Sequence, residues 1–91
     1  MSANATARVV ISNQLGLHAR PATLFADVAA QFAADVRVTR GTESVDGKSI
    51  MHLMMLAATK GTELLVEATG ADADACVNAL RDLINRGFDE D

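Results

Sequence analysis

The sequence predicts an α+β fold: a four-stranded antiparallel sheet with three helices on one face, in the order β-α-β-β-α-β-α. Three observations predict it. Four short stretches alternate apolar and polar residues, the period of a half-buried strand. Two longer stretches repeat apolar residues at spacings of three and four, the period of an amphipathic helix. The order of these stretches gives two strand–helix–strand crossings in succession, which pack as a sheet with helices layered on one side. At 91 residues the chain reads as one domain spanning 1–91, with residues 1–5 and 89–91 expected to fray.

The elements follow in chain order. Residues 6–12 (TARVVIS) read as a strand with Ala7, Val9 and Ile11 on one face, and Asn13 and Gly16 break the pattern into a loop. A helix is expected over residues 19–34, with Leu24, Phe25, Val28, Ala29 and Phe32 forming its apolar stripe and Thr23, Asp27 and Gln31 opposite. Pro21 falls in its first turn, where the backbone N–H groups lack intrahelical partners and proline is tolerated. Residues 35–40 (DVRVTR) alternate with Val36 and Val38 inward, Gly41 and Thr42 turn the chain, and residues 43–46 return as a short strand. Ser49 is suited to cap a short helix over residues 50–58, which Lys60 and Gly61 follow. Residues 62–69 form the last strand, with Leu64, Val66 and Ala68 inward. The final helix is expected over residues 72–86, on Ala73, Cys76, Val77, Leu80, Leu83 and Ile84. Gly87 and Phe88 then read as a terminating glycine followed by a hydrophobic contact.

Composition narrows the function. A domain of this size buries only about 60–65% of its unfolded surface. Hydrophobic residues make up 49% of the chain, with no Trp or Tyr and three Phe, so the core is built from Ala, Val, Leu, Ile and Met. The net charge is −4 and the cations are scattered, which argues against a nucleic-acid partner. An RNA-binding α+β domain would need exposed strand aromatics and a basic face, and both are missing. Cys76 is the lone cysteine. It offers no intrachain disulfide, and no Cys/His cluster points to zinc, so a reducing compartment, no metal and no cofactor are expected. The first residues lack the apolar run of a signal peptide. Residues 50–58 are too short to span a bilayer. A cytoplasmic monomer with no membrane insertion is expected.

The residues that carry chemistry lie at 16–22, Gly-Leu-His-Ala-Arg-Pro-Ala. His18 falls at the N-cap of the long helix. There, backbone N–H groups of the first turn, those of Ala19 and Arg20 among them, point outward, and the helix dipole favours an anion. The same dipole opposes a proton on the unmodified ring, which keeps it neutral and nucleophilic. A phosphoryl group carried by that ring would find donors already aimed at its oxygens. Arg20 adds a guanidinium suited to bidentate phosphate contact. An ordinary helix start with a capping or surface histidine is the plain alternative.

Two segments resemble one family. LGLHARPA is similar to the active-site segment of the histidine-containing phosphocarrier proteins, the HPr family, and DGKSIMHLMMLAATKG resembles that family's second signature, a serine opening a short Met-rich helix. The resemblance covers residues 6–88 and implies an open-faced β-sandwich. It implies that His18 is phosphorylated at Nδ1 and that Arg20 contacts the phosphate. It implies that Ser49 matches a serine modified by a dedicated kinase/phosphorylase in some bacteria, and that Ala19, Thr23, Ile50, Met51 and Met54 dock partners while Leu53 and Leu56 face the core. The implied donor is enzyme I of the phosphoenolpyruvate-dependent phosphotransferase system and the implied acceptor is a IIA protein or domain. The chain is then a stoichiometric carrier rather than an enzyme. The short helix is apolar nearly all round, so one side must be exposed or covered by a partner, and methionine suits a surface that fits several partners.

Some residues depart from the sugar-uptake pattern. Asp27 and His52 stand where such members carry other residues, and VEATG and GFDED resemble the nitrogen-related branch, NPr. Sugar uptake and nitrogen-related regulation therefore both stand as pathways. A small-ligand regulatory α+β domain, with a metabolite at the anion site, is the alternative of a different class. His52 has no evident carboxylate or cysteine partner for a second catalytic or metal role.

Overall fold

The computed structural model describes residues 3–90. The chain runs β1 (Asn4–Val10), α1 (Ala19–Ala30), β2 (Asp35–Arg40), β3 (Glu43–Asp46), α2 (Ile50–Met55), β4 (Glu63–Thr69) and α3 (Ala73–Asn85), and ends in a tight turn at Gly87–Asp89. The strands form one antiparallel sheet in the order β1-β4-β2-β3. The register carries a row of small apolar side chains across it: Ala7 faces Val66, Val66 faces Val38, and Val38 faces Val45. Because side chains alternate along a strand, this row and the pairs on either side of it, Val9 with Leu64 and Val36 with Ala68, fall on the side covered by the helices. Arg8, Arg37 and Glu63 point to the other side, which is solvated. The fold is thus the open four-stranded sheet with three helices that the period pattern predicts.

The six apolar positions read for α3 are all buried. Burying side chains such as Val77, Leu80, Leu83 and Ile84 stabilises by about 1.5–3 kcal/mol each relative to exposure. Helix α1 buries a slightly different stripe from the one expected. Pro21, Ala22, Phe25, Ala26 and Ala29 are buried, while Leu24, Val28 and Phe32 are partly buried against the same core. The small alanines let the helix approach closely, and the larger side chains fill its flanks.

Three boundaries differ from expectation for reasons outside their own segments. Helix α1 ends at Ala30, not near 34, because the N–H groups of Ala33 and Ala34 turn away to the Asp72 carboxylate, at 2.8 and 2.9 Å. Helix α2 ends at Met55, not near 58. Ala57 is left-handed (φ 51°), Arg40 from β2 donates to the carbonyls of Leu56 and Ala57, and the Ala58 carbonyl accepts from Leu17. Strand β1 begins at Asn4, so residues 4 and 5, expected to fray, pair with Thr69 and Ala68.

The expected fraying of 89–91 also meets a different arrangement. Gly87, Phe88 and Asp89 take φ values of 66°, 57° and 58°, a left-handed turn that buries Phe88 and sends Glu90 back towards the start of α1. Asp89 pairs with Arg86. Met1, Ser2 and Asp91 lie outside the described residues.

Candidate functional site

The site is assembled by the loop entering α1. Gly16 is left-handed (φ 71°), and a Cβ there would collide with the Ala58 carbonyl oxygen and come within 2.9 Å of the Thr59 Cα. Only glycine allows this approach. It seats the loop against the segment after α2, where the Leu17 N–H donates to the Ala58 carbonyl at 2.8 Å.

His18 is the N-cap of α1, with extended backbone (φ −80°, ψ −170°), and its side chain does not cap the helix. Its own N–H donates to the Gly16 carbonyl and its carbonyl accepts from Ala22. Of the remaining first-turn positions, Pro21 has no N–H. That leaves two donors at the mouth of the helix, the N–H groups of Ala19 and Arg20, without an intrahelical partner. The Arg20 guanidinium is exposed and makes no hydrogen bond or ion pair among the described residues. The end of the helix is therefore a small cluster of unspent positive dipole and charge beside an imidazole.

The ring is also held from the far end of the chain. The Glu90 carboxylate lies 2.9 Å from His18 Nε2, and the same oxygen accepts from Asn13 Nδ2 at 2.8 Å. The other Asn13 hydrogen goes to the Gly16 carbonyl at 2.7 Å. Asn13 is 1% exposed. The hydrogen bonds from His18 and then Asn13 hold the Glu90 carboxyl below the usual carboxylate range, against a smaller opposing effect of burial, and the nearby charge of Arg20 adds to the shift. The His18 side chain keeps 34% of its surface exposed, so it remains accessible.

A shallow concavity of about 260 Å³ opens beside His18, lined by Leu15, Leu17, Met54, Ala57, Ala58 and Thr59. Of the residues expected to dock partners, Met54 reaches this concavity, while Ile50 and Met51 are exposed on α2 outside it. Thr23 spends its hydroxyl on the Ala19 carbonyl at 2.8 Å. Ser49 caps α2, its hydroxyl accepting from the His52 N–H at 3.2 Å, at the opposite end of the helix from Ala58. His52 lines a separate groove with Arg37, Glu43, Asp46 and Met55. No group of three metal-ligating side chains occurs among the described residues.

A family model for the PTS HPr component phosphorylation site matches residues 5–86. The chain belongs to the HPr family. It is an HPr-type phosphocarrier of the phosphotransferase system. It is 54% identical to the phosphocarrier protein HPr of Pseudomonas aeruginosa over 83 residues, 90% of this chain and 92% of that protein. It is 42% identical to the phosphocarrier protein NPr of Escherichia coli over 85 residues, 91% and 93% of the two chains. A crystal structure of HPr from Thermoanaerobacter tengcongensis superposes with a TM-score of 0.92 at 37% identity, covering 96% of this chain and 98% of that one. Both HPr and NPr relatives are thus similar over nearly the whole length. Within this HPr-type site, sequence reasoning missed Asn13, Leu15 and Glu90. Glu90 is 72 residues from His18 in sequence, and the only local sign was the apolar Phe88 after a terminating glycine.

Proposed function

We propose that His18 accepts a phosphoryl group on Nδ1 from enzyme I and passes it to a IIA protein or domain. The Nδ1 lone pair attacks phosphorus in line, the bond between phosphorus and the donor's nitrogen breaks, and the donor nitrogen keeps the electron pair. Onward transfer is the reverse at His18, with the pair returning to Nδ1. The observation that carries this reading is the open end of α1: two unpaired N–H groups and an unpaired guanidinium beside an accessible imidazole. Fixed donors aimed at the equatorial oxygens stabilise the transferring group without reorganisation. Arg20 supplies the planar fork and Ala19 and Arg20 the backbone donors.

The partners dock, in this reading, on the apolar surface beside His18. Leu15, 74% exposed, and Met54 line the concavity at His18, and Ile50 and Met51 are exposed on the same helix as Met54. A phosphate on Ser49 would place about two negative charges at one edge of that surface and weaken docking. The nitrogen-related branch stands as the second pathway, favoured by the GFDED tail and the similarity to NPr. Transfer from the labelled, phosphorylated chain to IIA proteins of the same cell tests the reading. Labelling of a sugar-specific IIA selects sugar uptake, and labelling of a nitrogen-related IIA alone selects the regulatory branch. No acid-labile phosphate on the chain at all would leave the small-ligand alternative.

A further inference from the structure

We infer that Met51 and Met54 are a modification site, oxidised by hydroperoxides to sulfoxides that weaken the docking of enzyme I, and restored by a thiol-dependent reductase. The inference rests on the reading of α2 as part of the docking surface. It starts from where the sulfur atoms lie. Met51, Met54 and Met55 are 75%, 44% and 63% exposed on α2, and no methionine is among the buried core side chains. Methionine, expected in the core from composition, lies instead at the surface. The remaining sulfur among the described residues is Cys76, which is 0% exposed. Burial pushes its thiol up, so it stays protonated and is a poor nucleophile. An oxidant arriving from solvent therefore meets thioethers on α2 and no thiol among the described residues.

The positions on the helix separate effect from damage. Met54 lines the concavity at His18, with Leu15, Leu17 and Ala57. Met51 stands one turn before it, at the spacing of three that makes neighbours on a helix. Met55 lies instead in the groove with His52 and Glu43. The side chains that tie this segment to the core are Leu53 and Leu56, which carry no sulfur. Oxidation thus changes the outer face of α2 and leaves its packing untouched.

The chemistry needs only a hydroperoxide and, for reversal, a dithiol. A sulfur lone pair attacks the terminal oxygen of the hydroperoxide, and the S–O bond forms as the O–O bond breaks. The sulfur is oxidised by two electrons and the peroxide is reduced. Its leaving oxygen takes a proton and departs as an alcohol, or as water where the oxidant is hydrogen peroxide. In the reverse direction two thiols become a disulfide, and the sulfoxide oxygen leaves as water. A thioether is apolar and adaptable, whereas a sulfoxide is a polar acceptor that is hydrated when exposed. Docking an apolar partner surface would strip that oxygen of its water. An acceptor left unpaired in this way weakens binding by about tenfold.

Affinity for enzyme I before and after oxidation is the test. The protein is treated with hydrogen peroxide, the peroxide is removed, and peptide mass spectrometry locates the added oxygen. It should appear on Met51, Met54 and Met55 and not on Cys76. Calorimetric titration should then give a Kd for enzyme I about tenfold above that of the reduced protein, with a thermal melt near wild type. Methionine sulfoxide reductase with a dithiol should restore the first Kd. Met55→Leu should keep the whole response. The double variant Met51→Leu, Met54→Leu retains Met1 and Met55, and its own Kd should not change with peroxide. Unchanged affinity in fully oxidised wild type overturns the inference, and so does an oxidised protein that melts many degrees early. Met54→Glu separates this result from the reading of the surface. If that substitution weakens enzyme I binding and oxidation does not, the docking surface stands and the inference falls; if neither weakens it, both fall.

Discussion

Helix α2 carries a buried and an exposed apolar face within six residues, and two substitutions test what each face does. Leu53 is 0% exposed and packs in the core, whereas Met51 is 75% exposed on the same helix. Truncating a fully buried leucine costs about 2–5 kcal/mol, the lost transfer energy plus that of the cavity left behind. A domain of this length has only about 5–14 kcal/mol of stability in all. At about 4–8 °C per kcal/mol for a small domain, Leu53→Ala should lower Tm by at least about 8 °C. Met51→Ala removes little buried surface and should change stability by no more than about 0.5 kcal/mol. If Met51 is part of the docking surface, its loss should weaken enzyme I binding by about 1–2 kcal/mol, roughly five- to thirtyfold in Kd. Thermal melts and calorimetric titration with enzyme I, on both variants, measure the four quantities. A Met51→Ala protein that melts many degrees early, or a Leu53→Ala protein that melts with the wild type, would refute the assignment of the two faces. Wild-type affinity in Met51→Ala would take that residue out of the docking surface.

Three other outcomes are expected. Arg20→Lys keeps the charge but loses the planar fork, and since Arg20 has no partner among the described residues it should fold normally while transferring phosphate about tenfold more slowly; wild-type rates in both directions would remove its role. Ser49→Asp replaces one good cap by another, so Tm should stay near wild type while affinity for enzyme I falls; unchanged affinity would reduce Ser49 to a cap. The backbone hydrogen bond from Ala33 is the first cause holding the Asp72 carboxyl below its ordinary 3.8. A depressed carboxyl contributes stability above its unfolded value and loses it as pH falls through the folded one. Asp72→Ala should therefore lower Tm at pH 7, with the deficit narrowing as pH drops below 3.8, and a pH-independent deficit would contradict the carboxylate's role.

The legible parts of the chain were those whose determinants are local. The alternation in residues 35–40 and 43–46 gave strands β2 and β3 with their observed ends, and the heptad-like run from Ala73 to Ile84 gave every buried position of α3. Ser49 showed itself as a cap because capping acts within three residues. The misread boundaries depend on side chains far along the chain: Asp72 ends α1 and Arg40 closes α2. No period within QFAA or LAA records those partners. The site divides in the same way. His18, Arg20 and the helix start belong to one motif of seven residues. Glu90 joins them through a turn of three left-handed residues, two of which are not glycine, and Asn13 acts by bridging that tail to the loop at Gly16. An acidic tail reads as solvated unless the preceding Phe88 is taken as an anchor.

The central claim is that the phosphoryl group sits on Nδ1 of His18. Its most direct test is to charge the protein with phosphoenolpyruvate and enzyme I and locate the phosphate by fragment mass spectrometry, with NMR of the imidazole nitrogens identifying the atom. The account predicts one acid-labile phosphate, on His18 Nδ1, and none on a folded His18→Ala protein. Phosphate on His52, on a hydroxyl residue, or on Nε2 of His18 would contradict it.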